Sequence, residues 1–248
     1  MRSTVASSLL DRQHPHKLAT MATLEKYQTD LIEHGMSAGA LKFGTFTLKS
    51  GRTSPYFFNA GLLASGPVLD ALCSAYAATI ASALKSTPGL PQFDVLFGPA
   101  YKGIPFAACT ALLLHRDHGI DVGFAYDRKE AKDHGEGGIM VGTLVKGKRV
   151  LVLDDVATAG TAIRGAIETV RKEGGEVVGA VLMLDRQEVG KEGKSMIAEV
   201  ESLLGGKGSV PTILKMKHLM AWLEQHGRTE ELKSMREYWE KYGAKDSA

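Results

Sequence analysis

Short apolar segments alternate with amphipathic ones along most of this chain. Residues 150–153 are aliphatic without polar alternation, which is typical of a strand covered on both faces of a parallel sheet. Directly after them, Ile163, Ala166, Ile167 and Val170 fall on one face of a helix. The same alternation predicts strands at 94–98, 122–126, 177–184 and 212–216, and helices at 24–36, 67–84, 104–114 and 161–170. The pattern therefore predicts an α/β fold with a doubly wound, mostly parallel sheet flanked by helices.

The two ends of the chain differ from this alternation. Residues 46–52 and 54–59 predict two short strands around a Ser-Gly-Arg turn. Residues 220–242 are helical and charged in pattern, which we interpret as a solvated helical face. The first 20 residues contain many Ser, Thr and His and one acidic residue. A transit peptide is one interpretation of them, and a disordered extension or an upstream start codon is the favoured one. We predict an extension at 1–21 and one domain at 22–248.

Composition narrows the function classes. With 248 residues, 44% of them hydrophobic, the chain is long enough for one substantial core. A net charge of +2 argues against a general nucleic-acid surface, and no apolar run reaches the length of a membrane span. Cys73 and Cys109 lie in small apolar stretches, which favours buried free thiols over a disulfide or a metal pair. His115 and His118 have no further ligand nearby, so we predict no metal site built by the protein alone.

The segment VLVLDDVATAGTA, residues 150–162, carries the strongest chemical signal. It places Asp154 and Asp155 between the carboxyl end of a strand and the start of a helix, where ligands bind in open α/β sheets. The helix start suits a phosphate, and Gly160 would allow close backbone approach. The aspartates would repel phosphate but accept hydrogen bonds from hydroxyls, which indicates a sugar diol beside a phosphate. The alternatives are a glycosidase pair, for which adjacent residues are poorly spaced, and a simple helix cap.

Other segments add charge around the same sheet edge. FGPAYKGIP, residues 97–105, repeats the strand, glycine turn and helix, and Lys102 could hold a second anionic group. Residues 126–142 form a cationic, glycine-rich connection. Such a segment is usually a solvated, mobile connection, and it could also close as a lid over an anionic ligand. In LDRQE, Arg186 follows a strand and could bind a carboxylate with its guanidinium fork.

These motifs resemble a known family. DDVATAGT is similar to the phosphoribosyl pyrophosphate (PRPP) signature of type I phosphoribosyltransferases. Together with KFGTFTLKSGRTSPYFFN, FGPAYKGIP, RKEAKDHGEGG and LDRQE, it resembles the orotate phosphoribosyltransferases, and most nearly their fungal form. The resemblance covers the chain from Ala22 onward. It implies a small hood over the active site, Mg²⁺ bound mainly through PRPP or pyrophosphate, and a cytoplasmic homodimer whose lid loop acts in trans.

The resemblance also implies site residues. The PRPP-binding residues would be Lys49, Tyr101, Lys102, Arg128, Lys129, Lys132, His134, Asp154, Asp155, Val156, Ala157, Thr158, Ala159, Gly160, Thr161 and Ala162. The orotate-binding residues would be Phe57, Phe58, Thr158 and Arg186. Among these, Lys132, Asp154 and Asp155 would be catalytic, and no residue would ligate the metal as part of a dedicated protein site.

The implied reaction transfers ribose 5-phosphate from PRPP to N1 of orotate. It gives orotidine 5′-monophosphate and pyrophosphate, a step of de novo pyrimidine synthesis. A phosphoribosyltransferase for another base would share DDVATAGT but would have no use for Arg186. A non-catalytic PRPP-sensing regulator would need a DNA-binding module, and none is visible in the sequence.

Overall fold

The computed structural model describes residues 23–48, 50–132, 138–157, 160–190 and 193–244, and gives the backbone alone for 131, 132 and 157. The strands are β1 (Leu41–Thr47), β2 (Thr53–Phe58), β3 (Val95–Phe97), β4 (Gly123–Lys132), β5 (Gly138–Gly142), β6 (Arg149–Ala157), β7 (Glu176–Asp185) and β8 (Thr212–Lys215). The helices are α1 (Lys26–Ser37), α2 (Gly66–Ala83), α3 (Gly103–His118), α4 (Thr161–Lys172), α5 (Met196–Leu203), α6 (Met216–Gln225) and α7 (Thr229–Tyr242).

A doubly wound sheet forms the centre of the fold, as predicted. Within the described ranges its strand order is β5-β4-β3-β6-β7-β8, with β5 antiparallel and the others parallel. Strands β4 and β5 lie on one side of β3, and β6, β7 and β8 lie on the other. The order therefore reverses between β3 and β6, and the crevice above their carboxyl ends is the expected ligand site of such a sheet.

Both faces of the sheet are covered, which explains the continuous apolar run in β6. Leu151 and Leu153 belong to the core that includes α2 and α3, whereas Val150 and Val152 belong to the core that includes α4 and α5. Successive strand residues point to opposite faces of the sheet. Because helices cover both faces, every one of these side chains is buried, and the strand has no alternation of apolar and polar residues.

A hood formed by β1 and β2 packs on one edge of this core. Strands β1 and β2 pair antiparallel, Leu41 with Phe58 and Thr47 with Thr53, and the predicted turn closes through a hydrogen bond from Gly51 N to Leu48 O (2.9 Å). The first strand begins at Leu41, five residues earlier than predicted.

The C-terminal region has the predicted charged, solvated helical face and also an apolar face that was not predicted. It forms α6 and α7, whose inner faces are buried in the same core as the hood through Leu219, Trp222, Leu223, Met235 and Tyr238. The high charge of residues 220–242 lies on the outer faces of amphipathic helices and concealed the apolar positions. Residues 1–22 lie outside the described residues, so the boundary predicted at 21 stays a prediction.

Candidate active site

The crevice between β3 and β6 opens because the two strands have different lengths. Strand β3 pairs with β6 only over Val150–Val152 and then turns away, while β6 continues beside β7 as far as Ala157. The sequence predicted that β6 ends at Leu153, but its ladder with β7 extends through both aspartates. Asp154 and Asp155 therefore lie in the part of β6 that has a neighbour on one side only.

Asp154 is held at its backbone from a distant helix. The buried hydroxyl of Tyr76, on α2, donates to the main-chain oxygen of Asp154 (2.7 Å). The Asp154 carboxylate in turn accepts the backbone N–H of Asp155 (2.9 Å). Burial, and secondly the charge of Asp155, raise the pKa of Asp154 to about 6 from 3.8. The carboxyl is thus fixed in place and is poised to change charge just below neutral pH.

Asp155 connects the end of β6 to the loop that precedes α3. Its carboxylate forms an ion pair with Lys102, at the start of α3, and accepts the backbone N–H of Val156 (2.7 Å). The Lys102 side chain is 58% exposed and that of Asp155 is 13% exposed, so the lysine reaches the carboxylate from the solvent side of the crevice. Lys102 and Asp155 were predicted from two different motifs to bind PRPP, and the structure places them in contact.

The loop before α3 is packed tightly. A Cβ at Gly98 would overlap the carbonyl of Gly103, so only glycine fits at this turn. The backbone N–H of Ala100 donates to the carboxylate of Asp127, on β4 (2.7 Å). Tyr101 is 71% exposed, which leaves its side chain available to a ligand. The loop is therefore fixed by its backbone, and its side chains at 101 and 102 extend outward.

The start of α4 faces the same crevice. Gly160 caps the helix with a left-handed φ of 65°, and Thr161 and Ala162 are exposed in its first turn. The unpaired N–H groups of such a turn suit an anion. Thr158 and Ala159 lie outside the described residues, as does Lys49.

The lid is built differently from the predicted glycine loop. Strand β4 continues to Lys132, and β5 pairs with it antiparallel, so both arms of the lid are strands. Arg128 donates to Gly138 O across the arms (3.5 Å), and Lys129 is exposed. Residues 127–132 are too polar to read as a strand from apolar alternation, which is why the sequence suggested a loop. His134 lies outside the described residues.

Arg186 is buried beneath the hood. It follows the last residue of β7 and is 4% exposed. Its Nε donates to Glu188 Oε1 (2.6 Å), its Nη2 donates to Ser54 Oγ (2.9 Å), and its guanidinium lies 4.3 Å from the ring centroid of Tyr56. The predicted carboxylate-binding residue is thus anchored to β2 as well as to its own loop.

The two phenylalanines predicted to line the base point to opposite sides of β2. Phe57 is 40% exposed and its ring lies 5.6 Å from that of Phe46, whereas Phe58 is 7% exposed and packs in the core near Gly35. Successive side chains of a regular strand point to opposite faces, which accounts for this difference in exposure. The assignment of both rings to the base stays a prediction; the exposed ring of Phe57 is the more accessible of the two to a ligand.

The structure adds residues that the sequence did not single out. These are Tyr76, which holds the backbone of β6 at Asp154, Asp127, which holds the loop before α3 at Ala100, and Ser54 and Glu188, which hold Arg186. Glu188 lies in LDRQE near Arg186, and Asp127 lies in the segment 126–142 beside Arg128. A charged residue this close to a predicted binding residue could have indicated a supporting role. Tyr76 lies in an apolar helix and had no such signal.

A stability prediction follows from the raised pKa of Asp154. Above pH 6 the carboxyl is ionised in the folded and the unfolded chain, and the folded state carries the cost of a buried charge beside Asp155. As the pH falls from 6 to 3.8 the folded state takes up its proton first and the cost shrinks, and well below pH 3.8 the carboxyl is protonated in both states and the cost disappears. The shift corresponds to a destabilisation of the folded state by about 2–3 kcal/mol at pH 7.5. We therefore expect Asp154→Asn to raise the melting temperature by about 5 °C at this pH. Calorimetry at pH 4.5 should find a much smaller gain, and an equal gain at both pH values would contradict the assignment.

Neither a metal cluster nor a membrane span is found in the described part of the chain. No group of three or more His, Cys, Asp or Glu side chains there could hold a metal ion. No helix among the described residues has the length and apolarity needed to cross a membrane.

Comparison with known proteins agrees with the site. Residues 73–204 match the model of the phosphoribosyl transferase domain. The orotate phosphoribosyltransferase of Acinetobacter baumannii (strain AB307-0294) is 50% identical over 212 residues, which is 86% of this chain and 94% of that protein. That of Methylococcus capsulatus is 46% identical over 220 residues, 89% of this chain and 99% of that protein.

A solved structure extends the comparison to three dimensions. The orotate phosphoribosyltransferase of Francisella tularensis superposes with a TM-score of 0.72 at 36% identity, covering 86% of this chain and 98% of that one. These relatives are bacterial, and the predicted likeness to the fungal form stays a prediction. The domain match, the two relatives and the superposed structure agree, and the chain belongs to the orotate phosphoribosyltransferase family of the phosphoribosyltransferases.

Proposed function

We propose that this protein transfers ribose 5-phosphate from PRPP to N1 of orotate, giving orotidine 5′-monophosphate and pyrophosphate for pyrimidine synthesis. The observation that carries the proposal is the crevice between β3 and β6, where Asp155 meets Lys102 below the exposed first turn of α4. A diol, a phosphate and a pyrophosphate each find complementary groups within this one crevice. The identity to named orotate phosphoribosyltransferases supports the same reaction.

The proposed roles follow from the chemistry of each group. Asp154 and Asp155 accept hydrogen bonds from the two ribose hydroxyls, and the N–H groups at the start of α4 bind the 5-phosphate. The ribose then passes through an oxocarbenium-like state as pyrophosphate leaves. Carboxylates on the ribose hydroxyls stabilise the positive charge that develops on the ring. The cationic lid residues, Lys132 foremost, neutralise the departing anion.

The ion pair of Lys102 and Asp155 has a proposed role before substrate arrives. In the absence of substrate it balances the charge of Asp155 beside a second carboxylate. When PRPP binds, the exposed lysine can turn to the pyrophosphate while Asp155 accepts the ribose hydroxyls. The lysine thus exchanges one anionic partner for another, so that neither charge is left unpaired.

Mg²⁺ fits this donor set. Asp154 and Asp155 supply hard oxygen atoms, but as a pair rather than a full coordination shell. Mg²⁺ commonly binds through one or two carboxylates together with substrate phosphates. When bound, it would neutralise the pyrophosphate, and Asp154 and Asp155 would hold it on the ribose side.

A homodimer with the lid acting in trans completes the proposal. The arms of the lid lie at the edge of the sheet, with β5 outermost, and β3 separates β4 from the strand that bears the aspartates. Leu112 on α3 and Leu144 after β5 are 62% and 82% exposed, which is apolar surface that a second subunit would cover. We also propose that the protein is located in the cytoplasm.

Arg186→Ala tests the assignment of the base. We expect the KM for orotate to rise by about 100-fold, because a guanidinium–carboxylate contact to a charged ligand is lost, while the KM for PRPP changes little. Steady-state kinetics with each substrate varied in turn provides the measurement. Equal effects on both KM values would remove the carboxylate role from Arg186. A preference for a base without a carboxylate would favour the alternative of another phosphoribosyltransferase.

A further inference from the structure

Arg186 is held by the protein through a defined part of its guanidinium. The described residues use Nε, which donates to Glu188, and Nη2, which donates to Ser54. Tyr56 stacks below the guanidinium plane at 4.3 Å. A buried guanidinium needs partners of this kind, because removing it from water without them is costly. These contacts fix the plane of the guanidinium, and the hydroxyl of Tyr238 also interacts directly with it.

Glu188 connects Arg186 to the C-terminal helix. Its Oε1 accepts hydrogen bonds from Arg186 Nε and from the hydroxyl of Tyr238, on α7, at 2.6 and 2.9 Å. Its Oε2 accepts from Arg52 Nη1 at 3.2 Å. Burial, and then the charge of Glu188, raise the pKa of Tyr238 to about 12, so its phenol remains a donor across the working pH range. The orientation of Glu188 is therefore fixed from three sides.

The end of α7 is also fastened to the loop that carries Glu188. Val189 N donates to Tyr242 O (2.9 Å), and Ala244 N donates to Gln187 O (2.8 Å). The guanidinium of Arg52 lies 4.9 Å from the ring centroid of Tyr242 and donates to Val189 O (3.2 Å). These bonds make the loop after β7 and the end of α7 one packed unit, so a displacement of the helix would displace Glu188.

We propose that α7 is part of the base-binding device: Tyr238, through Glu188, is a positioning residue that orients Arg186 for the carboxylate of orotate. Ser54, Arg52 and Tyr238 all lie outside residues 73–204, which match the shared phosphoribosyl transferase domain. Selection of the base thus depends on additions at both ends of that domain, while the PRPP loop lies within it. The inference rests on the proposed role of Arg186 and deepens it. Pre-orienting the fork reduces the ordering cost that orotate would otherwise meet on binding.

Tyr238→Phe is the primary test, with Tyr242→Phe as its matched control. Both changes remove one hydroxyl from the same helix and keep the ring, but of the two hydroxyls only that of Tyr238 donates to Glu188 in the described part of the chain. We expect Tyr238→Phe to raise the KM for orotate about tenfold, the effect of losing a hydrogen bond to a charged group, with the KM for PRPP unchanged. Tyr242→Phe should leave both values unchanged. Glu188→Gln should act in the same direction as Tyr238→Phe.

A second measurement separates positioning from general loosening of the hood. If Tyr238 acts through Arg186, then adding Tyr238→Phe to Arg186→Ala should cause no further rise in the KM for orotate. The inference is overturned if Tyr238→Phe leaves that KM unchanged, raises both KM values alike, or acts equally with and without Arg186. The proposed function has a different failure: Arg186→Ala alone would then show no selective effect on orotate. An orotate-selective Arg186→Ala beside an inert Tyr238→Phe would overturn this inference only.

Discussion

Asp155→Asn is expected to lower kcat/KM for PRPP by about 100-fold or more while the protein stays folded. The substitution keeps the shape of the side chain but removes the charge that pairs with Lys102 and that would accept the ribose hydroxyls. Hydrogen bonds to a charged group contribute about 1.5–3 kcal/mol each, so losing two of them accounts for at least this factor. Initial rates across a range of PRPP concentrations provide the measurement.

Asp94→Asn is the matched control for this change. Asp94 is paired with Arg149 at the opposite, amino end of β3 and β6, at 2.9 Å, and has no place in the crevice. The same chemical change there should leave kcat/KM within about twofold of the wild type, since surface ion pairs contribute little. If Asp155→Asn retained wild-type kinetics, Asp155 would have only a structural role at the end of β6.

Mixing two inactive variants is expected to restore about a quarter of wild-type activity, from symmetry alone. One variant is Lys132→Ala, and the other is the double variant Asp154→Asn/Asp155→Asn. With equal amounts and free exchange, half of the dimers are mixed. If the lid acts in trans, each mixed dimer has one site in which an intact lid covers intact aspartates. Activity is measured before and after exchange, and native mass spectrometry counts the mixed dimers.

The geometry of the sheet makes this outcome informative. Strand β4 is separated from β6 by β3, so the lid arms leave the sheet about 10 Å from the strand of the aspartates. Mixed dimers without activity would mean that each lid serves its own subunit. Mixing either variant with itself should give no recovery, which controls for residual activity.

The strand-end motif could be predicted because its signals are local. Val150–Leu153 is apolar on both faces, two carboxylates follow, and Gly160 takes a left-handed φ of 65° where the helix begins. Each of these features is specified by neighbours within a few residues. The order of strands and helices could be predicted for the same reason, although the extension of β6 through Asp155 depends on pairing with β7.

The contacts that organise the site could not be predicted, because their partners are far apart in the chain. Ser54 and Arg186 are separated by 132 positions, Tyr76 and Asp154 by 78, and Tyr238 and Glu188 by 50. A single sequence indicates which side chains are polar, but not which of them meet after folding. The buried faces of α6 and α7 were missed for a related reason, since their outward charges dominate the composition.

The central claim is that the site selects a base by its carboxylate. Uracil is orotate without that group, so the most direct measurement is pyrophosphate release with PRPP and Mg²⁺, comparing orotate with uracil and with hypoxanthine. A site built to bond a charged group rejects an analogue without it by about 10⁴-fold, and we expect kcat/KM for orotate to exceed that for uracil by a factor of this order. Comparable turnover of uracil or hypoxanthine would contradict the account, since Arg186 would then have no part in choosing the substrate.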